Sequence, residues 1–276
     1  MEFDSTRKPQ LNFVLAWFLL CGFPIGINAQ DTILPNNDRF HLFLLIGQSN
    51  MAGRGKVEQQ DKTPHPRVLM LNKTNQWVAA IDPMHFDKPA AGVGLGKTFG
   101  QTIAETNPSI SVGLIPCAVG GSPLDSWKPG VLYAPTNSYP WDDAIRRTKD
   151  AMKYGELKGI LWHQGESDSK PELAESYETR LRNMIVHLRE SLKAPKVPFI
   201  VGQLGQFDDV PWDASRKKID AAHQSIGTND SFVGFVRSKG LKHGGDKVHF
   251  DAPSLREFGK RYADEFLRLQ SNQISK

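Results

Sequence analysis

Short apolar runs punctuate the chain and are separated by longer stretches of mixed polarity. The runs are Phe40–Ile46, Arg67–Leu71, Ser111–Ile115, Gly159–His163, Pro198–Leu204 and Phe232–Val236. Most are apolar throughout rather than alternating, which is the pattern of strands covered on both faces. Helical stretches are read near Leu95–Glu105, Asp142–Lys153, Glu172–Leu192 and Pro211–Ser225, and a last one at Ser254–Leu269. In the last, Leu255, Phe258, Tyr262, Phe266 and Leu269 recur at helical spacing and form a core-facing stripe. Strands alternating with helices predict an α/β fold, a three-layer α/β/α sandwich around a central parallel sheet.

Two stretches break the alternation. Lys73–Gly94 and Gly121–Pro140 are rich in Pro, Gly, Trp and polar residues. They read as long loops, and loops of that length in a compact domain usually carry function. Trp77, Trp127, Tyr133, Tyr139 and Trp141 stand there among Asn, Asp and Lys, which suits either sugar-facing aromatic surfaces or staples from loop to core.

At 276 residues and 39% hydrophobic, the chain has enough apolar material for one full core without a second domain. A formal charge of +4, with no dense Lys/Arg run, argues against a nucleic-acid partner. The N-terminus reads as a secretory signal. Arg7 and Lys8 precede the apolar stretch Leu11–Phe23, and Ala29 offers a cleavage point before Gln30. The organisation expected is a signal peptide at 1–29 and a single catalytic domain at 30–276. The apolar stretch is short for a membrane span, so no stable insertion is expected after its removal, and the location expected is secreted or periplasmic. Only Cys117 would then remain, which leaves no intrachain disulfide and no thiolate zinc site. No cofactor or metal is expected, and nothing fixes an oligomeric state.

The chemistry concentrates just after the strands. Gly47-Gln48-Ser49-Asn50-Met51-Ala52-Gly53 delivers a serine from a buried strand onto a glycine-flanked turn. A serine hydroxyl needs a neighbouring base to become a nucleophile. Asp246-Lys247-Val248-His249 supplies one: its spacing on a turn lets Asp246 accept from Nδ1 and leaves Nε2 to face Ser49. The paired glycines of Ala118-Val119-Gly120-Gly121-Ser122 free backbone amides to point into a cleft, as an oxyanion site requires. In Trp162-His163-Gln164-Gly165-Glu166-Ser167-Asp168, Gln164 is read as a further oxyanion donor. Glu166 is read as bracing the nucleophile loop or orienting Gln164 rather than carrying a proton, His163 as a histidine of the core or supporting the site, and Asp168 as a cap on the following helix. In a parallel sheet these strand ends share one edge, so the segments converge on one pocket.

These blocks, with Arg54-Gly55, Pro116-Cys117 and Phe250, closely resemble the SGNH/GDSL hydrolase superfamily. More narrowly they resemble carbohydrate esterase family 6 and the related sialate O-acetylesterase domain, from about Arg39 to Leu269. The resemblance implies a flavodoxin-like fold and a metal-free Ser-His-Asp esterase that removes O-acetyl groups from sugars through an acetyl-enzyme. It implies Ser49 as nucleophile, His249 as base and Asp246 as its partner. The oxyanion donors it implies are Ser49, Gly121 and Gln164, the last standing where the wider superfamily has asparagine, with Gln48 and Glu166 in support. The substrate expected is an acetylated carbohydrate, acetylxylan-type polysaccharide being favoured. A sialate ester, or a lipase- or thioesterase-type acyl substrate on the same scaffold, is the alternative.

Overall fold

In this computed structural model, residues 34–274 are described, together with Met1. The expected signal peptide, residues 1–29, lies outside the described residues. Seven strands form one sheet in the order β3-β2-β4-β1-β5-β6-β7. They are β1 Phe40–Gly47, β2 Val68–Leu71, β3 Trp77–Ala79, β4 Ser111–Pro116, β5 Glu156–His163, β6 Phe199–Gly202 and β7 Val233–Val236. Every pairing is parallel except β2 with β3. The six expected strands are present with small shifts at their ends. The short antiparallel β3 falls inside the stretch expected to be loop, so the sheet is parallel save for one edge. Three residues bounded by a tight turn carry too little pattern to stand out from a loop.

The helices are α1 Ser49–Ala52, α2 Gly96–Thr106, α3 Pro140–Ala151, α4 Pro171–Ala174, α5 Tyr177–Ser191, α6 Ala214–Asn229 and α7 Ala252–Ile274. The single helix expected over Glu172–Leu192 is broken into α4 and α5 by Glu175 and Ser176. Strand β1 shows why both faces of the sheet need cover. Phe40, Leu42, Leu44 and Ile46 enter one core with Leu181, Met184, Ile185 and Leu188 of α5, beside residues of α3 and α6. Phe43 and Leu45 enter the other core with Phe99 and Ile103 of α2 and the stripe Leu255, Phe258, Tyr262, Phe266 and Leu269 of α7. A continuous apolar run is the sequence that this two-sided burial demands. No helix among the described residues is long and apolar enough to cross a membrane.

Three of the five loop aromatics act as staples. Trp77, Trp127 and Trp141 are buried in the first core, and Trp127 meets Trp162 edge-on at 5.4 Å while its indole N–H donates to Ser122 Oγ. Tyr139 stays exposed and Tyr133 half-buried.

Several buried groups carry a charge cost. Burial pushes His85 down to about 4 and His223 to about 3, and it lowers His163 as well. Burial pushes the Asp82 carboxyl up to about 7. A histidine lowered in the fold contributes stability in full above its free value of about 6.5, and loses it as pH falls toward the folded value. Asp82 works the other way, destabilising the fold as pH rises from about 4 to 7. Three imidazoles outweigh one carboxyl, so Tm is expected to drop between pH 7 and pH 5, and His223→Gln is expected to flatten that slope. Thermal melts across this range check it; a Tm that rises on acidification contradicts the assignment.

Candidate active site

Strand β1 ends at Gly47, where φ is +127° and a Cβ would sit 2.1 Å from the His163 carbonyl oxygen. Glycine alone allows that approach, and Gln48 N–H donates to the same carbonyl at 2.8 Å. The chain then turns directly into α1, whose first residue is Ser49. As a first helical residue, Ser49 has no intrahelical acceptor for its N–H.

Ser49 Oγ lies 2.8 Å from His249 Nε2, although 200 residues separate them. On the far side of the ring, Nδ1 lies 2.5 Å from Asp246 Oδ2. The other carboxylate oxygen, Oδ1, accepts the N–H groups of Val248 at 2.9 Å and His249 at 2.8 Å. Lys247 takes a left-handed φ of 64°, which folds the Asp-x-x-His segment tightly enough for one carboxylate to reach both backbone and ring. Burial alone would push the Asp246 carboxyl up. The His249 amide and ring and the Val248 amide override it and hold the group at about 2. Asp246 is therefore an anion throughout the ordinary pH range and fixes the proton on Nδ1, which leaves Nε2 as acceptor toward the serine hydroxyl.

The other predicted segments meet at the same edge. Val119 N–H donates to the Gly47 carbonyl, and Ser167 Oγ donates to the Gly121 carbonyl. Gln48 Oε1 accepts from the amides of Gly165 and Ser167, so it ties the serine turn to the loop after β5. Gly121, at φ +82°, has an amide with no partner among the described residues. A Cβ there would stand 3.0 Å from the Tyr133 hydroxyl and 3.8 Å from Lys88 Nζ, and neither of those groups makes a hydrogen bond or ion pair among the described residues. The neighbouring Gly120 N–H is taken by Asp87 Oδ2, which also pairs with Arg54 at 2.7 Å.

Gln164 departs from its expected role. It is fully buried, and its amide donates to Asp168 Oδ2 at 2.6 Å and to the Ser122 carbonyl at 3.3 Å. Its Oε1 accepts from the Tyr177 hydroxyl at 2.8 Å. Both amide hydrogens are committed to the loop scaffold, so none points to an oxyanion. Asp168 does not cap the helix that follows it; its carboxylate gathers Leu124 N–H, Gln164 and Arg180. Glu166 accepts from Asn50 Nδ2 at 2.6 Å and does not touch His249. His163 Nε2 meets the Gln203 carbonyl at 3.0 Å and is therefore the protonated nitrogen, while Nδ1 has no partner.

Sequence reasoning gave no role to Asn50, Arg54 or Asp87. Asn50 had a signal: a polar side chain directly after the serine, followed only by apolar and small residues to Gly53. Asp87 had none, because it lies in a loop whose path only the fold reveals. No group of three or more metal-ligating side chains is found among the described residues.

The sequence model of a family described as carbohydrate esterase, sialic acid-specific acetylesterase, matches residues 39–268. The chain belongs to this family. It is a carbohydrate acetylesterase, a carboxylic ester hydrolase. The esterase is 31% identical to a probable carbohydrate esterase of Arabidopsis thaliana, over 86% of this chain and 93% of the relative. A crystal structure of an Arabidopsis thaliana protein superposes with a TM-score of 0.73 at 30% identity, covering 85% of this chain and 99% of that one. The fold is also that of NanS, at a TM-score of 0.71 and 16% identity, covering 87% of this chain and all of that one (100%). These matches place the esterase in the three-layer SGNH hydrolase fold.

The two readings of Gln164 differ in what its removal does. A buried charge-assisted bond predicts that Gln164→Leu lowers stability by about 1–3 kcal/mol. An oxyanion donor predicts instead an intact fold with turnover down on the order of 10²–10³. Denaturant melts beside kcat per folded enzyme are expected to give the first result.

Proposed function

We propose that the esterase removes O-acetyl groups from carbohydrate by acyl transfer through Ser49. The observation that carries this reading is the continuous line Asp246–His249–Ser49, at 2.5 and 2.8 Å. Nε2 takes the serine proton as Oγ attacks the acetyl carbonyl. The tetrahedral oxyanion that forms is received by backbone donors, the Ser49 and Gly121 amides. Both are without partners among the described residues, and a partnerless amide costs no bond when it turns to a developing charge. The imidazolium, stabilised by the Asp246 anion, then passes its proton to the departing sugar oxygen. The C–O ester bond breaks and an acetyl-enzyme remains. Water attacks that ester, His249 again takes and returns one proton, and acetate leaves with the serine restored.

Acetylxylan-type polysaccharide is the first substrate class of this proposal. A sialate ester is the second, and one observation favours it: the Lys88 ammonium beside Gly121 and the Tyr133 hydroxyl next to it have no partner among the described residues. A cation and a phenol at the mouth of the site suit a sugar that carries a carboxylate. The leader read over residues 1–29 fits action on glycans outside the cytoplasm.

Ser49→Ala is expected to abolish hydrolysis of a chromogenic acetate and labelling by a fluorophosphonate, with melting unchanged; retained turnover would sink the nucleophile assignment. Acetate release across acetylated xylan, mannan and sialoglycans ranks the substrate classes. If Lys88 reads a carboxylate, Lys88→Gln raises KM on acidic sugars alone and leaves the chromogenic acetate untouched.

A further inference from the structure

We infer that Asn50 is a positioning residue that, anchored by Glu166, sets the His249 ring against the Ser49 hydroxyl. The inference rests on the proposed roles of Ser49 and His249. Asn50 Nδ2 donates to the Val248 carbonyl at 3.1 Å, and Oδ1 accepts the Phe250 N–H at 3.1 Å. These two groups belong to the peptide units on either side of His249. One planar amide therefore grips the histidine backbone before and after the ring, from a residue covalently joined to the nucleophile. Asp246 holds the same backbone through the Val248 and His249 N–H groups. The base is thus fixed by an anion on one side and by the nucleophile's own neighbour on the other.

The second hydrogen on Nδ2 goes to Glu166 Oε1 at 2.6 Å. That short contact sets the orientation of the amide. With the carboxylate beside Nδ2, the flipped arrangement would put Oδ1 against Glu166 and lose both histidine-loop bonds at once. Asn50 is fully buried, so water does not substitute for any of these partners. His163, 3.8 Å from Glu166 Oε1, competes for nothing: burial keeps it neutral and its proton sits on Nε2, facing Gln203. Asparagine is the residue the task selects. Aspartate lacks the donor, serine lacks the reach, and only an amide offers a donor and an acceptor at one short terminus.

A displacement of about 1 Å at a reacting group costs on the order of 10²-fold in rate. Asn50→Ala is expected to lower kcat on a chromogenic acetate by roughly 10- to 100-fold, with KM within about twofold. Fluorophosphonate labelling should slow to match and still reach one label per chain. Asn50→Asp should be worse, because it sets a carboxylate against Glu166 and the Val248 carbonyl. Glu166→Gln should be mild, since its side-chain carbonyl keeps the bond. The double variant Asn50→Asp with Glu166→Gln restores a donor facing an acceptor and is expected to recover about tenfold over Asn50→Asp alone.

Three results overturn the inference. One is unchanged kcat in Asn50→Ala. Another is a kcat loss matched by a lower final labelling stoichiometry, which marks misfolding. The last is a double variant no better than Asn50→Asp. Failure of the underlying acyl-transfer reading looks different: the wild-type protein itself would not label at Ser49.

Discussion

Everything at the site depends on β1 being paired in parallel on both of its edges. Leu45 stands opposite Pro116 of β4, and Gly47 stands opposite His163 of β5. Parallel pairing sends each strand out of the sheet at the same end, so the three segments that follow must share one rim. The serine turn, the paired glycines and the Gln164–Asp168 loop are brought together by register alone, before any side chain makes a bond. The Asp246–His249 segment reaches the rim by another route, in the connection between β7 and α7, where α7 packs its apolar stripe under the sheet.

Backbone register sets neighbourhood and not orientation, and polar contacts supply the rest. They do so in pairs of opposite kind. On the β4 side, Arg54 and the Gly120 amide share one oxygen of Asp87, so a buried charge is cancelled while the glycine loop is tied to the serine turn. On the β5 side, Asp168 collects three donors from three segments, and Gln164 is one of them. Each carboxylate is neutralised where it acts as a strut, which is the condition for burying one at all. The Ser49 and Gly121 amides have no partner among the described residues. Rigidity is thus placed around the reactive atoms while the groups suited to a developing charge stay open.

The strands, the long helices and the Ser49, His249 and Asp246 constellation were legible because each rests on a strong local signal. Apolar runs mark two-sided burial, and a serine on a glycine turn or an Asp-x-x-His turn has few other uses in combination. Gln164 is turned to the scaffold rather than the cleft for a reason that spacing cannot expose. An amide side chain after a strand is equally able to face the cleft or the scaffold, and the choice is made by Asp168 and Tyr177, one four residues on and the other in a different helix. The loop tryptophans were ambiguous in the same way, since stapling and stacking call for the same residue. Asp87 was invisible, because its partner Arg54 lies 33 residues away and only the fold closes that distance.

The proposed nucleophile, Ser49, opens α1 just past the first strand, and its proposed base, His249, lies in the connection before the last helix. During synthesis the serine is therefore made 200 residues before the histidine. A chain interrupted between Ser49 and Phe250 carries the alcohol without the imidazole, or the imidazole without the second peptide by which Asn50 holds it. Under the proposed mechanism, hydrolytic competence is a property of the finished polypeptide.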